Sequence, residues 1–120
     1  MATEVIYTDE FGAWFEGLSE GEQDRVAYSV KLLEERGVAL GFPYSSAIKG
    51  ASFALRELRT QAEGDPLRTL YAFDPDRNGV LLIGGNKAGD DRFYERLIPG
   101  AERIWKEYLE ETGRTKATKK

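Results

Sequence analysis

The sequence of 120 residues contains no cysteine and no histidine. Without cysteine, the chain can form neither a disulfide framework nor a thiolate metal site. Without histidine, it lacks the commonest general base near neutral pH, the commonest metal ligand and every catalytic triad that uses an imidazole. These two absences exclude thiol- and imidazole-dependent enzymes and any metal site built on those ligands.

Long apolar runs are also missing. The first residues, Met1 to Tyr7, have neither a basic start nor an apolar core, so they do not resemble a signal peptide. No apolar stretch approaches the length that a helix needs to cross a bilayer. We therefore expect a cytoplasmic protein without a membrane partner. A chain of this length supports one domain, which we predict over residues 1–112, followed by a basic, disordered tail at 113–120.

An excess of positive charge, which is typical of nucleic-acid-binding proteins, is absent, since the net charge is −4. The acidic residues are concentrated near the N-terminus: residues 1–41 include nine acidic and three basic side chains. Residues 42–120 include twelve acidic and fourteen basic side chains. Because a binding site depends on local charge, the second part of the chain can still form a basic surface.

The N-terminal third predicts a short strand followed by two helices. Residues 4–8 alternate as a strand does, and Asp9 can cap a short amphipathic helix. Ser19 and Glu22 match a capping box, in which each side chain satisfies a backbone amide of the other residue. This box opens a second helix that ends near Gly37. The pattern indicates an αα-hairpin.

The remainder of the chain predicts an antiparallel meander and a last helix. The three strands are expected at 53–60, 67–74 and 80–83, and Pro75 with Asn78-Gly79 favours a tight turn between the last two. A helical stripe runs from Asp91 to Tyr108, with a kink or restart expected at Pro99. The fold is therefore predicted to be α+β, with the helices covering one face of the sheet.

Arg68 is the first candidate for a functional residue. Strands place alternate side chains on opposite faces, so Leu67, Tyr71 and Phe73 should meet the helices. Arg68 then points to the other face, where a charged side chain in a central strand is costly unless it has a function.

Other cationic side chains can join Arg68 on that face. Arg56 and Arg59 lie on opposite faces of the preceding strand, so at most one of them should share the face of Arg68. Lysines precede and follow the meander, and the start of the last helix can close one edge. The additional candidates are Lys49, Lys87, Arg92 and Tyr94.

A cluster of lysine, arginine and tyrosine without histidine suits the cleavage of RNA. RNA carries its own nucleophile, the 2′-hydroxyl, so the protein must orient it, stabilise the charge on phosphorus and supply a proton to the 5′-oxygen. Fixed cations supply the charge stabilisation, which is often the largest contribution. A lysine crowded by other cations can act as a base, and tyrosine can stack on a base of the RNA. This chemistry requires neither a metal ion nor a cofactor.

Several short motifs appear in a fixed order between Phe11 and Leu109. They are Gly41-Phe42-Pro43-Tyr44 followed by Ile48-Lys49-Gly50, Leu55 to Arg59, Leu67 to Tyr71, Val80 to Lys87, and Asp91 to Glu102. In this order and spacing they resemble the RelE/ParE superfamily of toxins from type II toxin–antitoxin systems, in its HigB-like branch. The resemblance implies a RelE-like fold, with an N-terminal strand and αα-hairpin packed on an antiparallel meander and a C-terminal helix.

The resemblance also implies an activity and roles for individual residues. Such toxins are endoribonucleases that cut mRNA on the ribosome. Arg68 matches an arginine at the scissile phosphate, Lys87 a basic residue that holds phosphate or developing charge, and Tyr94 a tyrosine for stacking or proton transfer. These three are the expected catalytic residues. The expected RNA-binding residues are Lys49, Arg56, Arg59 and Arg92.

The implied partners are the ribosome with its mRNA and a helix-turn-helix antitoxin encoded alongside, through which operator DNA is bound. Two alternatives remain: a ParE-like, non-enzymatic inhibitor of DNA gyrase, and a decayed toxin that acts only as an antitoxin- and operator-binding module. Many relatives are basic and some use histidine, whereas this chain is acidic and has none. Retention of Arg68, Lys87 and Tyr94 favours the nuclease.

Overall fold

The helices and strands follow the predicted order, with one additional short strand. The computed structural model describes residues 2–113, so the predicted basic tail lies, apart from Gly113, outside the described residues. The elements are β1 (Val5–Tyr7), α1 (Asp9–Glu16), α2 (Glu20–Arg36), a 3₁₀ turn (Gly37–Ala39), β2 (Ser45–Ala47), β3 (Arg56–Ala62), β4 (Asp65–Phe73), β5 (Gly79–Asn86) and α3 (Phe93–Thr112). Within residues 2–113, each helix is too short or too polar to span a bilayer.

The αα-hairpin is held at both helix starts by side-chain caps. The Ser19–Glu22 capping box is present, which confirms the prediction for α2. The cap of α1 was wrongly expected at Asp9: the Thr8 Oγ1 atom accepts the Phe11 amide at 3.2 Å instead. The Thr8 hydroxyl also donates to the Leu81 carbonyl of β5 at 2.9 Å. Thr8 therefore fixes the start of α1 directly onto the sheet.

The five strands form one sheet in the order β1-β5-β4-β3-β2. The predicted meander of β3, β4 and β5 is antiparallel, while β1 runs parallel to β5. Strand β2 was not predicted, because its sequence Ser45-Ser46-Ala47 is short and lacks alternating apolar residues. It pairs with β3 and places Ser46 opposite Glu57.

Helices cover both faces of the sheet, so the prediction of a single covered face is wrong. One core lies between the αα-hairpin and the sheet and includes Phe11, Val26, Leu33, Leu58, Leu67, Tyr71 and Leu81. A second core lies under α3 on the opposite face and includes Leu55, Leu70, Val80, Leu82, Phe93 and Ile104. Arg68 therefore lies on the face that α3 partly covers.

Two adjacent glycines in β5 explain how helices approach both faces. A Cβ atom at Gly84 would lie 2.3 Å from the Trp14 ring of α1, and one at Gly85 would lie 2.8 Å from the Phe93 ring of α3. The strand was predicted to end at Ile83 but continues through both glycines to Asn86. Glycine inside a strand permits such close approach, and here it does so on both faces.

The predicted turn between β4 and β5 is organised by the buried carboxylate of Asp74. Its Oδ1 atom accepts the backbone amides of Asp76 and Asn78, each at 2.9 Å. Its Oδ2 atom accepts the Tyr108 hydroxyl at 2.7 Å, which joins the turn to α3. The positive φ of 67° falls at Arg77 and not at the Asn-Gly pair. Burial alone would raise the pKa of Asp74, but the hydrogen bonds from Tyr108, Asn78 and Asp76 lower it below its ordinary value.

This lowered pKa predicts that ionised Asp74 stabilises the fold. The contribution is present above the ordinary carboxyl pKa and is lost as the pH falls through the lower pKa of the folded state. We expect Asp74→Ala to reduce the free energy of unfolding by about 2–3 kcal/mol at pH 7. The variant should then lose less stability than the wild type between pH 5 and pH 3. Urea unfolding at several pH values measures both quantities. Asp24→Ala, at an exposed position of α2, is the control and should behave as the wild type does.

Candidate active site

The buried carboxylate of Glu57 forms the centre of a polar cluster beside the first turn of α3. Glu57 is 5% exposed, and its carboxylate contacts side chains from three other elements, α3, β2 and β4. Tyr94 of α3 donates its hydroxyl to Oε1 at 2.6 Å, and Ser46 of β2 donates to Oε2 at 2.9 Å. Two guanidinium groups lie nearby, Arg68 Nε at 3.6 Å from Oε1 and Arg59 Nη1 at 3.4 Å from Oε2. These five residues, together with Lys87 over the Tyr94 ring, are called the Glu57 cluster below.

Strand register places the two arginines of the cluster beside each other. Arg59 of β3 pairs directly with Arg68 of β4, and Glu57, two residues before Arg59 in the strand, lies on the same face. The prediction that only one of the two β3 arginines shares the face of Arg68 is therefore confirmed. Like charges opposite each other destabilise a sheet, so the Glu57 carboxylate is needed between these two guanidinium groups.

Arg68 is more deeply buried than its expected role at a phosphate requires. The residue is 6% exposed, and its Nη1 atom donates to the Leu67 carbonyl at 3.0 Å. Its Nε atom donates no hydrogen bond within residues 2–113. Because a buried charge is costly without a partner, Arg68 depends on Glu57.

Tyr94 and Lys87 lie together at the more open end of the cluster. The Lys87 ammonium is 5.4 Å from the centre of the Tyr94 ring, within the range of a cation–π interaction. The Lys87 backbone is fixed by donation to the Pro66 carbonyl at 2.9 Å. Burial, followed by the hydrogen bond to Glu57 and its negative charge, raises the pKa of Tyr94, while Arg68 partly opposes the shift. Tyr94 is therefore protonated at neutral pH.

Arg59 connects the cluster to an exposed aromatic side chain. Its guanidinium carbon lies 5.0 Å from the centre of the Phe42 ring. Phe42 is 74% exposed, although a large apolar side chain is normally buried. The motif Gly41-Phe42-Pro43-Tyr44 thus places an accessible ring next to a cation of the cluster.

The remaining sequence-predicted residues are not brought into the cluster. Arg56 lies on the opposite face of β3, where its Nε atom donates to the Ser45 hydroxyl at 3.1 Å and its Nη2 atom to the Leu40 carbonyl at 3.5 Å. Arg92 has a side chain that is 80% exposed and pairs with Glu95. Lys49 is exposed and has no ion pair with the residues that the structure describes. The structure thus joins Arg59, Arg68, Lys87 and Tyr94.

Sequence reasoning did not identify Glu57, Ser46 or Phe42 as site residues. For Glu57 a signal was available, because it lies two residues from Arg59 in the same strand and therefore shares its face. Ser46 and Phe42 lie in a segment without regular alternation, so their positions depend on the pairing of β2 with β3. The signal for Phe42 was limited to its place in a short motif.

The completed arrangement combines three cations, one carboxylate and the hydroxyl groups of Ser46 and Tyr94. The cations are Arg59, Arg68 and Lys87, so an anionic group is favoured at the open end beside Tyr94 and Lys87. The Glu57 carboxylate can receive the proton of Tyr94, with which it already shares a hydrogen bond. Within residues 2–113, no three acidic side chains lie close enough together to hold a metal ion.

Comparisons with known proteins place these features in a family context. The family model described as "Phage derived protein Gp49-like" matches residues 13–106. "Putative toxin HigB2" of Mycobacterium tuberculosis is 34% identical over 111 residues, which are 90% of this chain and 55% of that protein. "Putative toxin HigB3" of the same organism is 36% identical over 107 residues, which are 88% of this chain and 92% of that protein. The chain therefore spans about half of the first relative and nearly all of the second. No solved structure is a significant match.

Proposed function

The chain belongs to the family of phage-derived Gp49-like proteins, and from this premise we propose that it is the toxin of a type II toxin–antitoxin system. Its similarity to two proteins named as HigB toxins supports this proposal. The proposed activity is endonucleolytic cleavage of mRNA on the ribosome, which inhibits translation. The proposed partners are the ribosome with its mRNA and a helix-turn-helix antitoxin that neutralises the toxin. Operator DNA would be bound only through this antitoxin.

The observation that carries the proposed activity is the hydrogen bond from Tyr94 to Glu57, with Lys87 against the Tyr94 ring. A tyrosine that donates to a carboxylate leaves its oxygen lone pairs free to accept a second proton donor. The ammonium of Lys87, over the Tyr94 ring, supplies a proton donor. A base and an acid are thus present beside one anion-binding surface, without histidine.

The proposed reaction is attack of the 2′-hydroxyl on the adjacent phosphorus. The 2′-hydroxyl proton passes to the Tyr94 oxygen while Tyr94 passes its own proton to Glu57, and the new bond from the 2′-oxygen to phosphorus forms. Because the raised pKa keeps Tyr94 protonated, the two proton transfers occur together. Lys87 donates a proton to the 5′-oxygen as its bond to phosphorus breaks. The products are a 2′,3′-cyclic phosphate and a 5′-hydroxyl, and no metal ion is required.

The two arginines of the cluster have different proposed roles. Arg59 is partly exposed and can contact the phosphate directly, where a guanidinium stabilises the developing charge. Arg68 is a positioning residue that holds Glu57 and Tyr94 in place and contributes its positive field. Lys49 and Arg92 are exposed and are proposed to bind the RNA backbone outside the cluster. Arg56 points away from the cluster, so its proposed contribution is limited to the conformation of the preceding loop.

Phe42 is proposed to stack on a base of the bound RNA. Its exposed ring lies beside Arg59, and stacking of a base on an aromatic ring contributes about 1–3 kcal/mol. We expect Phe42→Ala to weaken binding to a programmed ribosome by about tenfold. Phe42→Trp should retain the affinity. Binding measured by co-sedimentation with ribosomes tests this, with Val38→Ala, at another exposed apolar position, as the control. Equal affinity of the Phe42→Ala variant would contradict the role.

The reaction is tested with an mRNA that carries a single 2′-deoxynucleotide on the 5′ side of the scissile phosphate. Cleavage of this mRNA by the protein on the ribosome is expected to be lost at that position, because the nucleophile has been removed. A 2′-deoxynucleotide one codon upstream is the matched control and should leave cleavage unchanged. Cleavage that continues at the modified position would contradict attack by the 2′-hydroxyl.

A further inference from the structure

The outer edge of β1 carries backbone groups without a partner in the sheet. The Glu4 carbonyl accepts the Gly79 amide at 2.8 Å, and the Thr8 amide donates to the Leu81 carbonyl at 3.2 Å. The even-numbered residues therefore face β5. In a parallel pair the intervening residues, Val5 and Tyr7, direct their amides and carbonyls to the opposite side. Because β1 is the last strand of the sheet, these groups face no strand within residues 2–113.

An apolar groove adjoins this edge on the face of the αα-hairpin. It has a volume of about 300 Å³ and lies between β1, α1 and α2. Tyr7, Phe11, Phe15 and Val30 line it. Tyr7 is 59% exposed, although the centre of its ring lies 5.6 Å from the centre of the Phe11 ring. Aromatic rings at a protein surface are enriched at sites that bind other proteins.

An acidic groove adjoins the same edge on the face of α3. It has a volume of about 240 Å³, and Ile6, Ile104 and Tyr108 contribute its apolar part. Four carboxylates line it, and none of the described residues that line it is basic: they are Asp9, Glu10, Glu107 and Glu111. Arg103 pairs with Glu107 at 3.3 Å. Asp9 and Glu10 also complement the N-terminal dipole of α1. The groove as a whole still carries an excess of negative charge.

We propose that the edge of β1 binds an extended segment of a partner protein in which apolar and basic residues alternate. An added strand would pair with the free backbone groups of Val5 and Tyr7, as in other cases of strand addition. Successive side chains of a strand point to opposite faces of the sheet. One set would therefore enter the apolar groove and the other set the acidic groove. The alternation of the partner is thus dictated by the two different surfaces that flank one strand.

The surface is separate from the Glu57 cluster, so the proposal does not depend on the proposed nuclease activity. The two sites lie at opposite edges of the sheet, since β1 and β2 are its terminal strands and Ser46 of β2 belongs to the cluster. A short edge strand with charged neighbours normally resists further pairing. Here the charged residues that line the groove on the face of α3 are all acidic, so this groove selects basic side chains of a partner.

The test uses the whole chain and a synthetic peptide in which valine and lysine alternate. Binding is measured by fluorescence anisotropy, and exchange of the Val5 and Tyr7 amides is followed by NMR with and without the peptide. We expect both amides to exchange more slowly in the complex, while the Thr8 amide, already bonded to Leu81, is unchanged. A peptide of the same composition with its valines and lysines in two blocks should bind at least about tenfold more weakly.

Paired charge substitutions test the contribution of the acidic groove. Glu10→Gln with Glu111→Gln should weaken binding of the alternating peptide by about tenfold. Asp24→Asn with Glu35→Gln changes the net charge equally at exposed positions of α2 and should leave the affinity unchanged. Equal weakening by both pairs, equal affinity for the block peptide, or no binding would overturn the proposal. Slow exchange of Val5 and Tyr7 in the chain alone would also overturn it. If that protection is independent of protein concentration, the chain itself covers the edge; if it increases with concentration, a second copy does.

Discussion

Replacing Arg68 with alanine is expected to reduce the rate of mRNA cleavage by about 100-fold or more, the usual effect of removing one preorganised electrostatic group. The Arg68 Nε atom lies 3.6 Å from the Glu57 Oε1 atom, and the residue is almost fully buried. Water would therefore not compensate for the loss of its positive charge. Its loss should also raise the pKa of Tyr94 further, because Arg68 opposes the shift that burial and Glu57 cause. The cleavage rate on programmed ribosomes and the carbon-13 resonance of the Tyr94 ring carbon bonded to oxygen measure the two effects.

Two further variants separate charge from folding in this experiment. Arg68→Lys keeps the positive charge but loses the planar guanidinium, so it should retain more activity than the alanine variant and a pKa of Tyr94 closer to that of the wild type. Arg103→Ala removes an exposed arginine from an ion pair on α3 and should cleave as the wild type does. A folded Arg68→Ala variant with full activity and an unchanged pKa of Tyr94 would contradict the positioning role.

The second large effect is expected on stability, from Glu57→Gln. The substitution preserves the size of the side chain but leaves the buried Arg68 without its carboxylate. Removing one partner of a buried ion pair costs about 3–5 kcal/mol, and we expect a loss of about 3 kcal/mol in the free energy of unfolding. The pKa of Tyr94 should fall, because the charge and hydrogen bond of Glu57 raise it. Urea unfolding measures the loss of stability.

The double variant Glu57→Gln with Arg68→Met tests whether this loss reflects an unpaired buried charge. An apolar side chain in place of Arg68 removes that charge, so the double variant should recover at least about half of the lost stability. It should not recover cleavage, because both members of the pair contribute to the proposed reaction. Additive losses of stability in the double variant would show that the two side chains act independently.

The parts of the fold that depend on local signals were predictable from the sequence. The capping box at Ser19 satisfies backbone amides within one helical turn, and the turn at Asp74 depends on residues adjacent in the chain. The face of the sheet that α3 covers could not be predicted in this way. An amphipathic stripe shows that one side of a helix is buried, but it does not show against which surface. Gly84 and Gly85 indicate that helices approach both faces, since each glycine leaves one face of the strand without a side chain.

The candidate site was predictable to the extent that strand alternation determines it. Alternation placed Arg56 and Arg59 on opposite faces of β3, so at most one could share the face of Arg68, and the register of β3 and β4 shows that it is Arg59. The family resemblance implied a contact of Arg68 with the scissile phosphate, but the structure places a nearly buried side chain there, and alternation does not report burial. Glu57 was missed as a site residue, although a buried cation requires a carboxylate nearby. The roles of these residues remain predictions.

Mapping of mRNA 5′ ends is the decisive test of the proposed cleavage of translated mRNA by the Glu57 cluster. The wild type and the Arg68→Ala variant are each expressed briefly in a bacterial host at equal levels of folded protein. We expect new 5′ ends within translated messages, in register with codons, for the wild type and their loss in the variant. Growth arrest without new ends, or identical ends with both proteins, would contradict it.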